Sequence, residues 1–300
     1  MSHAMIIDNR FYKTQDRIME ILDTPRATVG ESPVWDDATG QLWWVDVRGP
    51  ALHRTDPTTG RTESWTLPEP VGSLALCRSG RLLLALRSRV VRFDPHGGAI
   101  ETLATPEADR PHNRLNDGKA SPCGRFVVGG MDDRLEKQPV AALWCVSPAG
   151  AVSKLVDGLT VANGLAWSPD GRTLWYSDSR RTGIWNAPWD QATGSIGASR
   201  LLAAPDDATG RPDGAAMDVE GGYWSAGVSA GVLNRWLPDG TLDRVVKLPI
   251  RAPTMPCFGG PRLRHLFVTS LCSAKAGPDD GAVVVLDVGL AGVPVGQFRD

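Results

Sequence analysis

The chain has 300 residues, of which 42% are hydrophobic and 22% charged, and its formal net charge is −2. That composition suits a folded protein with ample core, and the charge excludes the basic footprint of a nucleic-acid binder or of a protein drawn to an acidic membrane surface. Five cysteines, at 77, 123, 145, 257 and 272, are odd in number and form no CxxC pair. They argue against a disulfide framework or a thiolate zinc site and fit a reducing compartment.

Residues 1–15 contain Asp8 and Asn9 and lack the apolar run of a secretory signal. They read as an N-terminal arm or extension, with residues 16–300 forming a single domain. No apolar run approaches the about 20 residues of a membrane span. The expected setting is the cytoplasm, and the expected assembly a monomer or weak homo-oligomer. Eleven tryptophans are many for this length. Most sit in short apolar runs, which points to core packing rather than a base-stacking surface.

From residue 31 onward one pattern recurs six times. Each copy begins at an opening: Glu31, Ser73, Asn116, Asn163, Asp213 and Cys257. A Gly-bearing turn then leads into an apolar, β-branched or aromatic run, at residues 42–47, 81–86, 125–131, 173–178, 222–226 and 265–270. These runs have the length and composition of strands. Third strands follow at 51–56, 90–94, 142–147, 183–188, 231–237 and 281–287, several ending in Pro/Gly turns such as Asp56-Pro-Thr-Thr-Gly60. Fourth strands close the copies, for example at 61–67, 151–156 and 241–248. The sixth copy runs out of chain, and residues 17–23 are predicted to supply its missing strand.

Successive openings are 42, 43, 47, 50 and 44 residues apart, the period of a four-stranded propeller blade. Helical periodicity is nearly absent. The predicted fold is therefore all-β, a six-bladed β-propeller whose last blade is closed by the N-terminal strand. In such a ring the first strand of each blade lines the channel, so the openings converge. Glu31, Asn163 and Asp213 then present carboxylate, amide and carboxylate oxygens. Oxygen-only ligation favours a hard divalent cation: Ca²⁺ first, Mg²⁺ or Mn²⁺ next, with Zn²⁺ and Fe²⁺ as further candidates. Three protein ligands leave positions for water and substrate. Taken singly, each of these residues could equally serve as a turn cap.

Gly30-Glu-Ser-Pro-Val-Trp35, Arg114-Leu-Asn-Asp-Gly-Lys119, Asn163-Gly-Leu-Ala-Trp-Ser-Pro-Asp-Gly171, Arg211-Pro-Asp-Gly214 with Asp218, and Cys257-Phe-Gly-Gly260 resemble the gluconolactonase/regucalcin-like family. The resemblance runs from about residue 20 to residue 270. It implies a metal held by Glu31, Asn163 and Asp213, and hydrolysis of a small sugar-acid lactone. It also implies that Arg114 and Asn116 hold the substrate and that Asp213 acts in water activation; since a carboxylate bound to a dication is a weakened base, Asp213 either takes the proton or only positions a metal-bound hydroxide. The family often carries an acidic pair where this chain reads Asp133-Arg134. Asp133 is then a further substrate contact, and Arg134 points to an altered choice of lactone.

Blander roles are expected for the neighbours. Lys119 reads as a solvated or ion-paired blade residue, Asp178 as a structural hydrogen-bonding group, and His112 and Asn113 as rim residues. Asn116-Asp117-Gly118 competes with an ordinary turn, and Cys257 reads as a buried, inert channel packer. Competing functions are a related hydrolase of organophosphates or aryl esters and a non-enzymatic calcium-binding scaffold.

Overall fold

The computed structural model describes residues 10–14, 17–272 and 277–300, with side chains from residue 19 onward. Apart from one 3₁₀ turn at Pro261–Leu263, every regular element among them is a strand. The strands form six sheets, each a run of antiparallel neighbours. The innermost strands are Gly30–Asp36, Val71–Leu76, Asn113–Ala120, Ala162–Trp167, Pro212–Met217 and Pro253–Gly259. Each packs against the next, and Pro253–Gly259 packs back against Gly30–Asp36, so the ring closes. The fold is a six-bladed β-propeller.

In the sixth blade the chain supplies Pro253–Gly259, His265–Ser270 and Val284–Asp287 from its C-terminal part and Arg17–Ile21 from its N-terminal part. Met19 faces Leu286, Glu20 faces Val285 and Ile21 faces Val284. Arg10–Thr14, within the segment expected to be an arm, pairs with Arg17–Ile21 as a fifth strand.

Six apolar clusters hold the ring, one between each pair of neighbouring blades. The cluster between blades five and six joins Ala216, Trp224 and Leu233 to Phe258, Leu266 and Val284, for example. The one that closes the ring joins Leu42 and Trp44 to Phe267. Seven of the eleven tryptophans are buried, and the other four pack against these clusters. Tryptophan serves this architecture because one ring spans much of the gap between two sheets.

Carboxylates at the ends of second strands tie the turns. Asp46 accepts the backbone N–H groups of Thr28, Val29, Arg48 and Gly49. Asp178 does the same for Thr160, Val161, Arg180 and Arg181. Asp178 thus has the structural role expected of it.

Candidate active site

All six inner strands carry a register shift near their start. It falls between Glu31 and Val34, Val71 and Ser73, Leu115 and Gly118, Asn163 and Ala166, Pro212 and Ala215, and Pro253 and Pro256. A bulge breaks the alternation of the pleat and re-aims the side chains around it. Positive φ values mark two of these bulges, +49° at Ser32 and +69° at Gly164.

The pairing shows which residues are equivalent. Gly30 faces Asp46, Ala162 faces Asp178 and Pro212 faces Gly227, so Glu31, Asn163 and Asp213 follow at one register. The sixth place does not belong to Cys257. Pro253 faces Ser270 and the bulge ends at Pro256, as Pro212 faces Gly227 and its bulge ends at Ala215. That register gives the place to Thr254, three residues earlier. Cys257 is buried deeper on the same strand, and burial pushes its thiol up to about 11. It is held as an inert thiol there.

Blades three, four and five are joined by a chain of hydrogen bonds. Arg114 Nη1 donates to Asn116 Oδ1 at 2.9 Å. Asn116 Nδ2 donates to Asn163 Oδ1 at 3.1 Å, and Asn163 Nδ2 donates to Asp213 Oδ1 at 2.7 Å and to Ser179 Oγ at 2.7 Å. Glu31 approaches from blade one. Burial first, then the charges of Asp213 and Asp117, hold its carboxyl well above the usual range. Burial also raises Asp213, with Asp117 adding to it and Arg211 and Arg114 opposing. Four sequence-predicted residues are thus linked by contact, and Glu31 by its field.

Asp133, the remaining candidate, stands at the rim, its carboxylate 3.5 Å from Arg114 Nε and 2.9 Å from Arg87 Nη1. Arg134 turns away onto Asp132, which it grips with Nε at 2.9 Å and Nη2 at 2.8 Å. His112 is exposed. Asn113 is buried and donates to Glu107 at 2.8 Å.

Two expectations change below the openings. Asn116, Asp117 and Gly118 are not a turn but the middle of the inner strand Asn113–Ala120, where the bulge falls. Lys119 is not solvated. It is 5% exposed, and its Nζ donates to Ala215 O across the channel at 2.6 Å. Burial lowers its pKa and Asp117 opposes the shift. Asp117 itself, with Oδ2 accepting from Leu165 N at 3.0 Å and Oδ1 buried without a partner, was missed as a contributor. Its proximity to Asn116 in sequence was the available signal, masked by the Asn-Asp-Gly resemblance to a turn.

The family model for the SMP-30/gluconolactonase/LRE-like region matches residues 29–272. The chain belongs to that family. It is 35% identical to a regucalcin of Xenopus laevis over 282 residues, 90% of this chain and 94% of the relative. A 6-deoxy-6-sulfogluconolactonase of Pseudomonas putida is 37% identical over 245 residues, 81% and 84% of the two chains. The solved structure of a calcium-binding protein, regucalcin, from Agrobacterium tumefaciens superposes with a TM-score of 0.85 at 27% identity, covering 93% and 96%.

The donor set fits a hard divalent ion. Two carboxylates and an amide supply only oxygens, and the carboxylates lie where burial and mutual repulsion disfavour their charge. An ion between them would relieve both effects. The oxygen of Asn163 now faces Asn116. A half-turn of the amide would place that oxygen beside Asp213, an arrangement that a shared cation, or a proton on Asp213, makes favourable. Among the described residues, no three His, Cys, Asp or Glu side chains are gathered to hold an ion by themselves.

Proposed function

We propose that the protein is a lactonase of the carboxylic ester hydrolase class, opening sugar-acid lactones such as glucono-, arabinono- or xylonolactone with the help of one divalent ion. The observation that carries this reading is the hydrogen-bonded run Arg114–Asn116–Asn163–Asp213 inside the channel, with the buried Glu31 carboxyl near enough to Asp213 to feel its charge. Glu31, Asn163 and Asp213 would hold the ion, Ca²⁺ foremost by donor type, with Zn²⁺, Mn²⁺, Mg²⁺ or Fe²⁺ also matching the set. When bound, such an ion polarises the ester carbonyl and acidifies water.

The remaining work falls to side chains. Asp213 is the group that accepts or steers the proton of the attacking water. Arg114 is mostly buried, and its guanidinium presents a rigid fork of donors to the lactone oxygens. Asn116 offers both a donor and an acceptor to a ring hydroxyl. Asp133 accepts from hydroxyls at the rim. The channel walls limit bulk water around the ester, which strengthens each of these interactions. The names of the relatives support this reading: one is a sulfogluconolactonase, and the calcium-binding label of the other matches an oxygen-only site. Five free cysteines agree with action in the cytoplasm.

The test is a pH-indicator assay with glucono-, xylono-, arabinono- and galactonolactones, after chelation and after adding back each divalent ion. Hydrolysis lost on chelation and restored by one ion is expected. Ion binding with no turnover of any lactone would leave a calcium-binding scaffold instead.

A further inference from the structure

The pairing places the ends of second strands beside the starts of inner strands: Gly30 with Asp46, Val71 with Leu86, Asn113 with Asp132, and Ala162 with Asp178. The loops that leave those second strands therefore rise around the channel end that holds Glu31, Asn163 and Asp213. In four successive blades they carry cations: Arg48, Arg87, Arg134 with Lys137, and Arg180 with Arg181. Arg211 adds another just before the fifth inner strand. The same segments carry Asp46, Asp132, Asp133, Glu136 and Asp178, so what matters is which cations those acids leave unpaired.

The nearby acids answer the cations only in part. Asp46 and Asp178 are turned into their own turns, where they accept backbone N–H groups and make no ion pair with the described arginines. Asp132 is taken by Arg134. Asp133 is shared between Arg87 and Arg114, and Glu136 is exposed in the same loop. Arg48 and Arg180 make no side-chain hydrogen bond or ion pair among the described residues, and Arg211 feels the charge of Asp213 without a hydrogen bond to it. Burial first lowers the pKa of Arg114 and of Lys137, and Asp133 opposes it in both; Arg48 and Arg87 add to the lowering at Arg114, and Arg114 and Arg180 at Lys137, so these cations lie within each other's fields. Like charges held together need a counter-charge, and guanidinium forks match the oxygens of a carboxylate, sulfonate or phosphate. A neutral polyol would ask instead for donors and acceptors in mixture.

We propose that the lactone preferred by this site bears a second anionic group on the part of the sugar remote from the ring ester, held by Arg48, Arg87, Lys137 and Arg180 at the rim. This rests on the lactonase reading, which puts the ester at the channel floor and the sugar tail toward these loops. The test compares kcat/KM of the metal-loaded enzyme for D-glucono-1,5-lactone, its 6-phosphate, and D-glucaro-1,4-lactone, at low and at about 0.5 M salt. The anionic lactones are expected to be favoured by about tenfold or more, a difference of about 1.4 kcal/mol. Salt should shrink that ratio, as should the double variant Arg48→Gln/Arg180→Gln. The phosphate and carboxylate arms show which anion is read.

Neutral lactone hydrolysed as well as the anionic ones, or a ratio unmoved in the double variant, overturns the proposal and leaves the lactonase reading standing. If no lactone is hydrolysed, calorimetric titration with 6-phosphogluconate against gluconate decides separately. Tighter, salt-sensitive binding of the phosphorylated acid sustains the cationic rim, and equal binding or none overturns it.

Discussion

Asp213 and Glu31 show at the residue scale what the channel asks of its polar groups. Each carboxylate is surrounded by protein, and each is made costlier by neighbouring acids. Asp213→Asn keeps the shape and the acceptor oxygen while removing one charge. In chelated protein it should therefore raise stability by about 1 kcal/mol or more, since each pKa unit by which burial lifts the carboxyl costs about 1.4 kcal/mol. The same change should lower lactone kcat/KM by about 10³-fold, because it replaces a charged ligand with a neutral one and removes the proton acceptor. Thermal melts of chelated wild type and variant check the first part, and a variant that melts lower would contradict it. His53 gives a pH prediction far from this site. It is buried, stacked 4.1 Å from Trp44, and hydrogen-bonded through Nδ1 to Ser64 at 2.8 Å. Burial lowers its pKa from 6.5 to about 4, with Asp46 opposing. A depressed imidazole favours the neutral form in the fold, so its contribution is full above about pH 6.5 and lost as pH falls toward 4. Denaturant titrations should show about 2–3 kcal/mol lost across that window, and less in His53→Gln.

The bulge of the inner strand sets the geometry at the element scale, and here sequence reading succeeded and failed for identifiable reasons. Strand positions were legible because each blade spends two apolar runs on its neighbours, which leaves a β-branched and aromatic record such as Thr173–Asp178. The register of Glu31, Asn163 and Asp213 was legible because a Trp or Met follows each by four residues and packs below. Thr254 was missed because the sixth copy has no such marker, and a Cys in the right neighbourhood was taken instead. Lys119 and Asp117 were missed because burial of a charge is a property of the closed ring, invisible along one strand. The bulge itself can be tested at Gly164. It has φ +69°, and a Cβ there would overlap the Tyr223 hydroxyl and Ser177 Oγ. Tyr223 also donates to Gly164 O at 2.7 Å. Gly164→Ala should therefore cost about 2–3 kcal/mol and displace Asn163, weakening ion affinity more than a substitution in an outer strand of equal destabilisation. Melting curves paired with ion titrations measure the two effects separately, and an unchanged ion affinity would release Asn163 from dependence on the bulge.

The whole molecule is a ring closed twice. At the sixth blade, Arg17–Ile21 completes the sheet, and Leu22 N continues the ladder to Val283 O at 2.9 Å. At the channel end opposite the openings, the last residues cross from one side of the ring to the other. Val219 N donates to Ala291 O, Gly292 N to Leu263 O, and Val293 N to Met217 O, tying the tail to blades five and six. Phe298 N then donates to Leu76 O, Arg78 N to Phe298 O, and Arg299 N to Gly124 O, tying it to blades two and three. Phe298 anchors the crossing, fully buried in the cluster between blades two and three with Ala75, Leu83, Phe126 and Val128. Removing its ring leaves a cavity that strands on two separate blades must span, so collapse is hindered. Phe298→Ala should lose about 3–5 kcal/mol, the usual cost for a buried aromatic. The substitution lies at the end of the channel away from Asp213, so kcat/KM for a lactone at 20 °C should stay within about twofold while the melting temperature falls. If activity fell as steeply as stability, the tail would be holding the openings in place through the inner strands, and the two ends of the channel would not be independent.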